Sequence, residues 1–263
     1  MSSDVPDPVV MGVVNVTPDS FSDGGSWLAP DAAIAHGNDL AVQGASILDI
    51  GGESTRPGAQ PVPEDEELRR VLPVLEGLAG GRPRLSIDTS KAAVAAAALD
   101  AGATIVNDVT ALRGDVAMAR LVAERGCEVV LMHMLGQPRT MQDAPRYDDV
   151  VADVRGFLAE RVRYAQSQGI AAERIWLDPG IGFGKTTDHN LELLARLDEL
   201  LDLGRPIVIG TSRKTFLGTI ATNVLALARG ASVFRVHDVA AVRDALLAAA
   251  AVLRGRWVAP EAG

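Results

Sequence analysis

The sequence predicts an α/β fold, a TIM (β/α)8 barrel in a single domain, and three observations predict it. Eight short β-branched apolar runs alternate with longer Ala/Leu-rich segments of helical period, the order expected of a parallel sheet with crossover helices. A length of 263 residues, 48% of them hydrophobic, suits one barrel around one sizeable core. Polar residues gather at the carboxyl ends of the runs, where a barrel of this kind keeps its chemistry.

The first run is Val9–Val16, with Asn15 near its end; Asp31 then stands before an Ala-rich helical stretch. The second, Ser46–Ile50, leads into a loop rich in Gly, Ser and Pro. Pro63 opens a helix over Glu64–Leu78. Its acidic start, Glu64 to Glu67, favours the positive end of the helix dipole, and solvated capping accounts for it. The third and fourth runs, Arg84–Asp88 and Thr104–Asp108, flank a helix that Gly102 closes. Gly126 and Gly169 close the helices before the fifth run, Glu128–His133, and the sixth, Ile175–Asp178, as glycines just past a helix end commonly do. The seventh run is Ile207–Thr211, a helix follows over Ala221–Arg229, and the eighth run is Ser232–His237. The last helix, Val239–Leu253, is apolar on nearly every face, more than packing on a barrel requires, and this predicts a homodimer. No linker or low-complexity stretch divides the chain, so residues 1–263 are expected to form one domain.

Composition excludes several functions. A formal net charge of −9 opposes binding to nucleic acid, whose affinity comes largely from Lys and Arg on phosphates. Cys127 is the only cysteine, so neither an internal disulfide nor a thiolate zinc cluster can form. Met1 to Pro8 lacks a basic segment followed by an apolar one, and no apolar run reaches the ~20 residues of a membrane helix. The expectation is a cytoplasmic protein without membrane attachment.

Asn15, Asp88, Asn107, His133, Asp178, Ser212 and His237 each lie at or just after the end of an apolar run. One such residue is unremarkable in any strand, but their convergence on one rim points to a functional mouth. Pro179 to Thr186 looks like a phosphate-binding loop, yet the first required glycine is Pro179, so an ATP or NAD site is rejected. His36 and His189 fall in helical segments and read as surface residues. His133 has no second metal-type ligand spaced near it, so a hydrogen-bonding role in the rim is expected of it.

The ordered set of motifs resembles one family, the dihydropteroate synthases. It comprises MGVVNVTPDSFSDGG over 11–25, GGESTRPG over 51–58, SIDT over 86–89, NDV over 107–109, LMHM over 131–134, LDPGIGFG over 177–184, SRK over 212–214 and RVHDV over 235–239. The resemblance implies a transferase that joins a dihydropterin diphosphate to p-aminobenzoate in folate biosynthesis. It assigns Asp88, Asn107, Asp178 and Lys214 to catalysis and to the pterin, whose planar edge of amino, ring nitrogen and carbonyl groups they match. Val109, Met132, Phe183 and Gly210 complete that slot. Asn15, Arg235 and His237 are implied to face the diphosphate, with Mg2+ held by the diphosphate, Asn15 and Asp23. Phe21, Thr55, Arg56, Pro57, Phe183, Ser212 and Lys214 are implied to form the p-aminobenzoate site, where sulfonamides compete. The implied mechanism is dissociative, with Asp88 and Asp178 stabilising the pterin methylene cation.

The chain departs from the pattern in one place. Between Gly218 and Ala221 the family has a longer connection, and here the sequence runs straight on: either the natural chain is shortened or a loop is absent from the sequence. Two other readings compete with the synthase: a non-catalytic paralogue that keeps the pterin slot, and a pterin-dependent methyltransferase domain. Neither needs the SFSDGG and STRP loops or a diphosphate site, and both loops are present.

Overall fold

The computed structural model describes residues 5–17, 29–55, 58–136, 140–211 and 216–257. Among the described residues eight strands alternate with eight α-helices: β1 Val9–Asn15, α1 Ala29–Val42, β2 Ile47–Gly51, α2 Glu64–Leu78, β3 Arg84–Asp88, α3 Ala92–Asp100, β4 Ile105–Asp108, α4 Met118–Arg125, β5 Glu128–Met132, α5 Val150–Ser167, β6 Ile175–Asp178, α6 Thr187–Ala195, β7 Val208–Gly210, α7 Phe216–Ala228, β8 Val233–Val236 and α8 Val239–Arg254. Every strand pairing is parallel, in the order β6-β5-β4-β3-β2-β1-β8-β7, and a bridge from Leu177 to Ile207 joins the two ends. The expected barrel is therefore present, with strand ends displaced from the sequence reading by no more than two residues.

Strand periodicity sorts the side chains. Residues of one parity, such as Val10, Val14, Leu48, Ile50, Leu85, Ile87, Ile209 and Phe234, pack outward against the helices in the main core. The other parity points into the barrel. Its lower layer is apolar, formed by Met11, Ile47, Ile105, Val130, Trp176, Val208 and Val233. Two residues further along, five of these strands lose their apolar side chain: Ile47 gives way to Asp49, Ile105 to Asn107, Trp176 to Asp178, Val208 to Gly210 and Val233 to Arg235, while Met11 and Val130 are followed by Val13 and Met132. The fold thus has an apolar plug below and a largely polar floor above it, facing the mouth.

Gly126 ends α4 in the left-handed conformation (φ 61°), and Gly102 and Gly169 follow their helices at φ 106° and 91°, as expected. Three expectations need correction. Glu67 is not solvated: it is fully buried and ion-paired to Lys91, because the inward face of α2 turns it toward the loop after β3. The helix placed at Ala221–Arg229 begins at Phe216. Helical backbone runs unbroken through Gly218–Ala221, with Thr222 Oγ1 donating to the Gly218 carbonyl at 2.8 Å, so the short connection is absorbed into α7. His189 is not an isolated surface residue: its Nδ1 accepts from Thr186 N and its ring stands edge-on to Tyr147 at 5.0 Å.

Candidate functional site

The floor is organised by Asp49, which strand parity places inside the barrel one layer below Gly51. Its side chain is fully buried. Oδ1 accepts from Ser86 Oγ at 2.6 Å, and Oδ2 accepts from Asn107 Nδ2 at 3.0 Å and Arg235 Nε at 2.6 Å. The Arg235 guanidinium also reaches Asp88, with Nη2 donating to Oδ2 at 2.7 Å. A chain of bonds thus links Asn107, Asp49, Arg235 and Asp88 across β4, β2, β8 and β3. Arg235, expected to face the diphosphate, spends two of its donors tying the floor together. Nothing in the strand-end pattern singled out Asp49; the available signal was a carboxylate inside an apolar strand, Ile-Leu-Asp-Ile-Gly over 47–51.

Burial sets the charge state of this floor. It pushes the Asp88 carboxyl up to about 7, with Arg235 pulling the other way and the Asp49 charge adding to the rise. Asp178 is likewise raised by burial, to about 6, against the backbone N–H of Gly180, which its Oδ1 accepts at 2.7 Å. The Arg235 guanidinium opposes its own desolvation through Asp49 and Asp88 and is held well above its ordinary range. Two carboxyls raised by burial in one mouth mark a candidate functional site.

Apolar walls stand beside the floor. Val109, Met132, Met134 and Met141 form one buried cluster, and the half-buried Phe183 packs on it. Three of these five were expected as slot walls; Met134 and Met141 were not. Val109 is presented by a strained turn in which Ala111 and Leu112 take positive φ values of 53° and 63°. Asp108 holds that turn, accepting from Thr110 N and Leu112 N at 2.8 Å, and Arg161 Nε donates to the Ala111 carbonyl at 2.8 Å. A Cβ added at Gly210 would meet only Arg235 Cβ at 4.0 Å, so the glycine leaves the floor open there.

At the β1 end of the rim, Asn15 Nδ2 lies 3.5 Å from His237 Nε2, bringing together two of the three residues expected at the diphosphate. His133 behaves as expected, as a hydrogen-bonding rim residue: burial and the neighbouring Lys185 hold it down to about 3, and its Nδ1 lies 2.9 Å from Lys185 Nζ. Thr55 is half-buried after β2. The root of its loop is anchored by Glu53 ion-paired to Lys91 and by Arg70 Nη1 donating to the Gly52 carbonyl at 2.8 Å. Phe21, Asp23, Arg56, Pro57, Ser212 and Lys214 lie outside the described residues. Among the described residues no group of three or more His, Cys, Asp or Glu side chains could hold a metal ion.

A family model described as pterin binding enzyme matches residues 11–254. A dihydropteroate synthase of Escherichia coli (strain K12) is 44% identical over 269 aligned residues, covering 97% of this chain and 95% of its own. Among solved structures, the Xanthomonas albilineans dihydropteroate synthase with 4-aminobenzoic acid is 50% identical, covers 94% of each chain and superposes with a TM-score of 0.88. A Yersinia pestis dihydropteroate synthase in complex with a sulfonamide drug is 42% identical, covers 96% of this chain and 95% of its own, and has a TM-score of 0.87.

Proposed function

The chain belongs to the dihydropteroate synthases among the pterin-binding enzymes, and from that premise we propose how the mouth of its barrel carries the reaction. The activity is a transfer in folate biosynthesis: 6-hydroxymethyl-7,8-dihydropterin diphosphate condenses with p-aminobenzoate, giving 7,8-dihydropteroate and diphosphate. The observation that carries the reading is the floor itself, in which Asn107, Asp88 and Arg235 are held in one hydrogen-bonded chain by Asp49.

The pterin edge lies on Asp88, Asn107, Asp178 and Lys214, with Val109, Met132 and Phe183 as walls and Gly210 leaving room for the ring. Diphosphate leaves first, and Asp88 and Asp178, once ionised, stabilise the methylene cation by charge in a water-poor site. The arylamine nitrogen then attacks the methylene carbon, and the proton it sheds on forming the C–N bond passes to water. Being weakly basic, the arylamine needs little help from a general base. Arg235 couples the two ends of the substrate, since the guanidinium that steadies Asp88 has donors remaining for the leaving group. Phe21, Thr55, Arg56, Pro57, Ser212, Lys214 and the Phe183 ring form the p-aminobenzoate site, and a sulfonamide competes there.

Mg2+ is the cofactor in this reading. A cation that keeps its waters and is carried by diphosphate oxygens needs only one or two protein ligands, so the Asn15 amide oxygen, joined by Asp23, fits it without a protein cage. When bound, it neutralises charge on the diphosphate. The chain acts as one pterin-binding domain over residues 1–263 and in the cytoplasm; no helix among the described residues is long and apolar enough to cross a membrane. It pairs as a homodimer through the exposed side of α8, where Val252, Leu253 and the following Trp257 are 80%, 45% and 64% exposed. A monomeric mass by sedimentation at micromolar concentration would contradict the pairing.

Calorimetric titration with the dihydropterin diphosphate tests the floor. Asn107→Ala and Asp178→Ala are each expected to weaken binding at least about tenfold, the ~1.4 kcal/mol of one good hydrogen bond. Wild-type affinity in both variants would remove the pterin from this floor.

A further inference from the structure

Lys185 is one of the few lysines in any fold to be 3% exposed. It ends the loop Pro179–Lys185 after β6, in which Gly180, Gly182 and Gly184 all take positive φ values, 68°, 88° and 64°. Those glycines let the loop lie against the segment after β5: a Cβ at Gly180 would overlap the His133 carbonyl oxygen, and one at Gly184 would come within 2.8 Å of the Leu135 carbonyl. Lys185 Nζ reaches His133 Nδ1 at 2.9 Å, the Gly180 carbonyl at 3.0 Å and the Phe183 carbonyl at 3.1 Å. Burial brings Lys185 down to about 7, with the Asp178 charge opposing the fall; in its protonated form the amine has three N–H donors and no acceptor, and all three are spent on the protein. Facing the protonated amine, His133 presents Nδ1 as an acceptor, in keeping with its strongly lowered proton affinity. None of the donors remains for a phosphate or a carboxylate, which separates this lysine from one in a phosphate-binding loop.

Two of the three bonds end on the loop that carries Phe183, and the third crosses to the segment after β5. Tyr147 reinforces the clasp, its hydroxyl donating to the Gly184 carbonyl at 2.8 Å. Phe183 is the residue of this loop whose ring packs on Val109, Met132, Met134 and Met141. We propose that Lys185 is a positioning residue for the arylamine subsite: its buried amino group clips the loop after β6 to the segment after β5 and so fixes the Phe183 ring against which p-aminobenzoate lies. The inference rests on the assignment of Phe183 to the p-aminobenzoate site made above.

The test is a double-mutant cycle with Lys185→Met and Phe183→Ala. Steady-state kinetics are measured with p-aminobenzoate and dihydropterin diphosphate varied separately, and the melting temperature is recorded for each protein. Lys185→Met is expected to raise KM for p-aminobenzoate about tenfold and to change KM for the pterin substrate less than about threefold. In the Phe183→Ala background it should add less than about threefold, because residues acting through one contact are not additive. If the two changes multiply, or if Lys185→Met moves both KM values and the melting temperature alike, Lys185 serves the fold and not the subsite, and the inference falls. If Phe183→Ala itself leaves KM for p-aminobenzoate unchanged, the assignment of Phe183 fails first and takes the inference with it. Should Lys185→Met not yield folded protein, Lys185→Gln in the same cycle carries the same expectation and the same refutation.

Discussion

Replacing Asp49 by Asn keeps the shape of the side chain and removes its charge, whereas Asp49→Ala removes both acceptors. In Asp49→Asn the amide can turn its NH2 toward the Ser86 hydroxyl, which rotates to accept. The remaining oxygen still receives Asn107 Nδ2 and Arg235 Nε, now as a neutral acceptor. The loss is mainly the charge-assisted part of the Arg235 bond, and Arg235 keeps Asp88, so the cost should stay below the ~3–5 kcal/mol of breaking a buried pair outright, at about 2 kcal/mol. In Asp49→Ala, Ser86, Asn107 and Arg235 all lose their acceptor, and the full ~3–5 kcal/mol applies. At ~2–4 °C per kcal/mol for a chain of this size, the melting temperature should fall by about 4–8 °C for Asn and by about 6–20 °C for Ala. The catalytic effect follows the same order: kcat/KM should drop about tenfold for Asn and ~10²–10³-fold for Ala, the scale seen when a donor that stabilises developing charge is lost. Calorimetry and steady-state kinetics on the two variants check both scales. An Asp49→Ala protein that melts within about 2 °C of wild type and turns over within about threefold would refute the floor network as described.

The proton affinities of the floor predict the acid side of the pH profile. Burial raises Asp88 to about 7 and Asp178 to about 6; each is neutral below its value and ionised above it, and ionised carboxylates are what the cation needs. kcat/KM should therefore fall as pH drops through 7 and then 6, and the Asp88 limb should move to lower pH in Asp49→Asn, because the Asp49 charge is one cause of its rise. A single limb near the ordinary carboxylate value of about 4 would contradict this. Two glycines separate backbone strain from steric overlap. Gly126→Ala, at φ 61° with nothing within 4 Å of the new Cβ, should cost about 1–2 kcal/mol. Gly180→Ala at φ 68° also drives a methyl into the His133 carbonyl and should cost several kcal/mol more by thermal melting; equal costs would refute the tight apposition of the two loops. Chelation by EDTA should abolish turnover, and Mg2+ should restore it; turnover unaffected by exhaustive chelation would remove the metal from the reading.

The barrel was legible because eight β-branched runs and their intervening helices each carry a local signal of the right period, and their order admits one closed parallel sheet. The candidate rim was legible because Asn15, Asp88, Asn107, Asp178 and His237 stand at or just after strand ends, where a parallel barrel brings side chains to one mouth. Asp49 and Lys185 escaped a search for strand-end residues because they lie below and beside the mouth. A carboxylate within a strand and a lysine after three glycines become informative only once parity and burial are known. Glu67 read as solvated for a related reason: its position in the first turn of α2 is visible in the sequence, but the Lys91 ammonium that meets it comes from the loop after β3. The start of α7 was missed because the expected loop had no counterpart, and helical residues on both sides of Gly218 simply joined.

The most direct test of the whole account is diphosphate release by the purified protein supplied with dihydropterin diphosphate and Mg2+, with and without p-aminobenzoate. Release that depends on p-aminobenzoate, matched mole for mole by 7,8-dihydropteroate, is the predicted result. Pterin binding by calorimetry without any such release would contradict it, and would leave a pterin-binding barrel that has lost its transferase step.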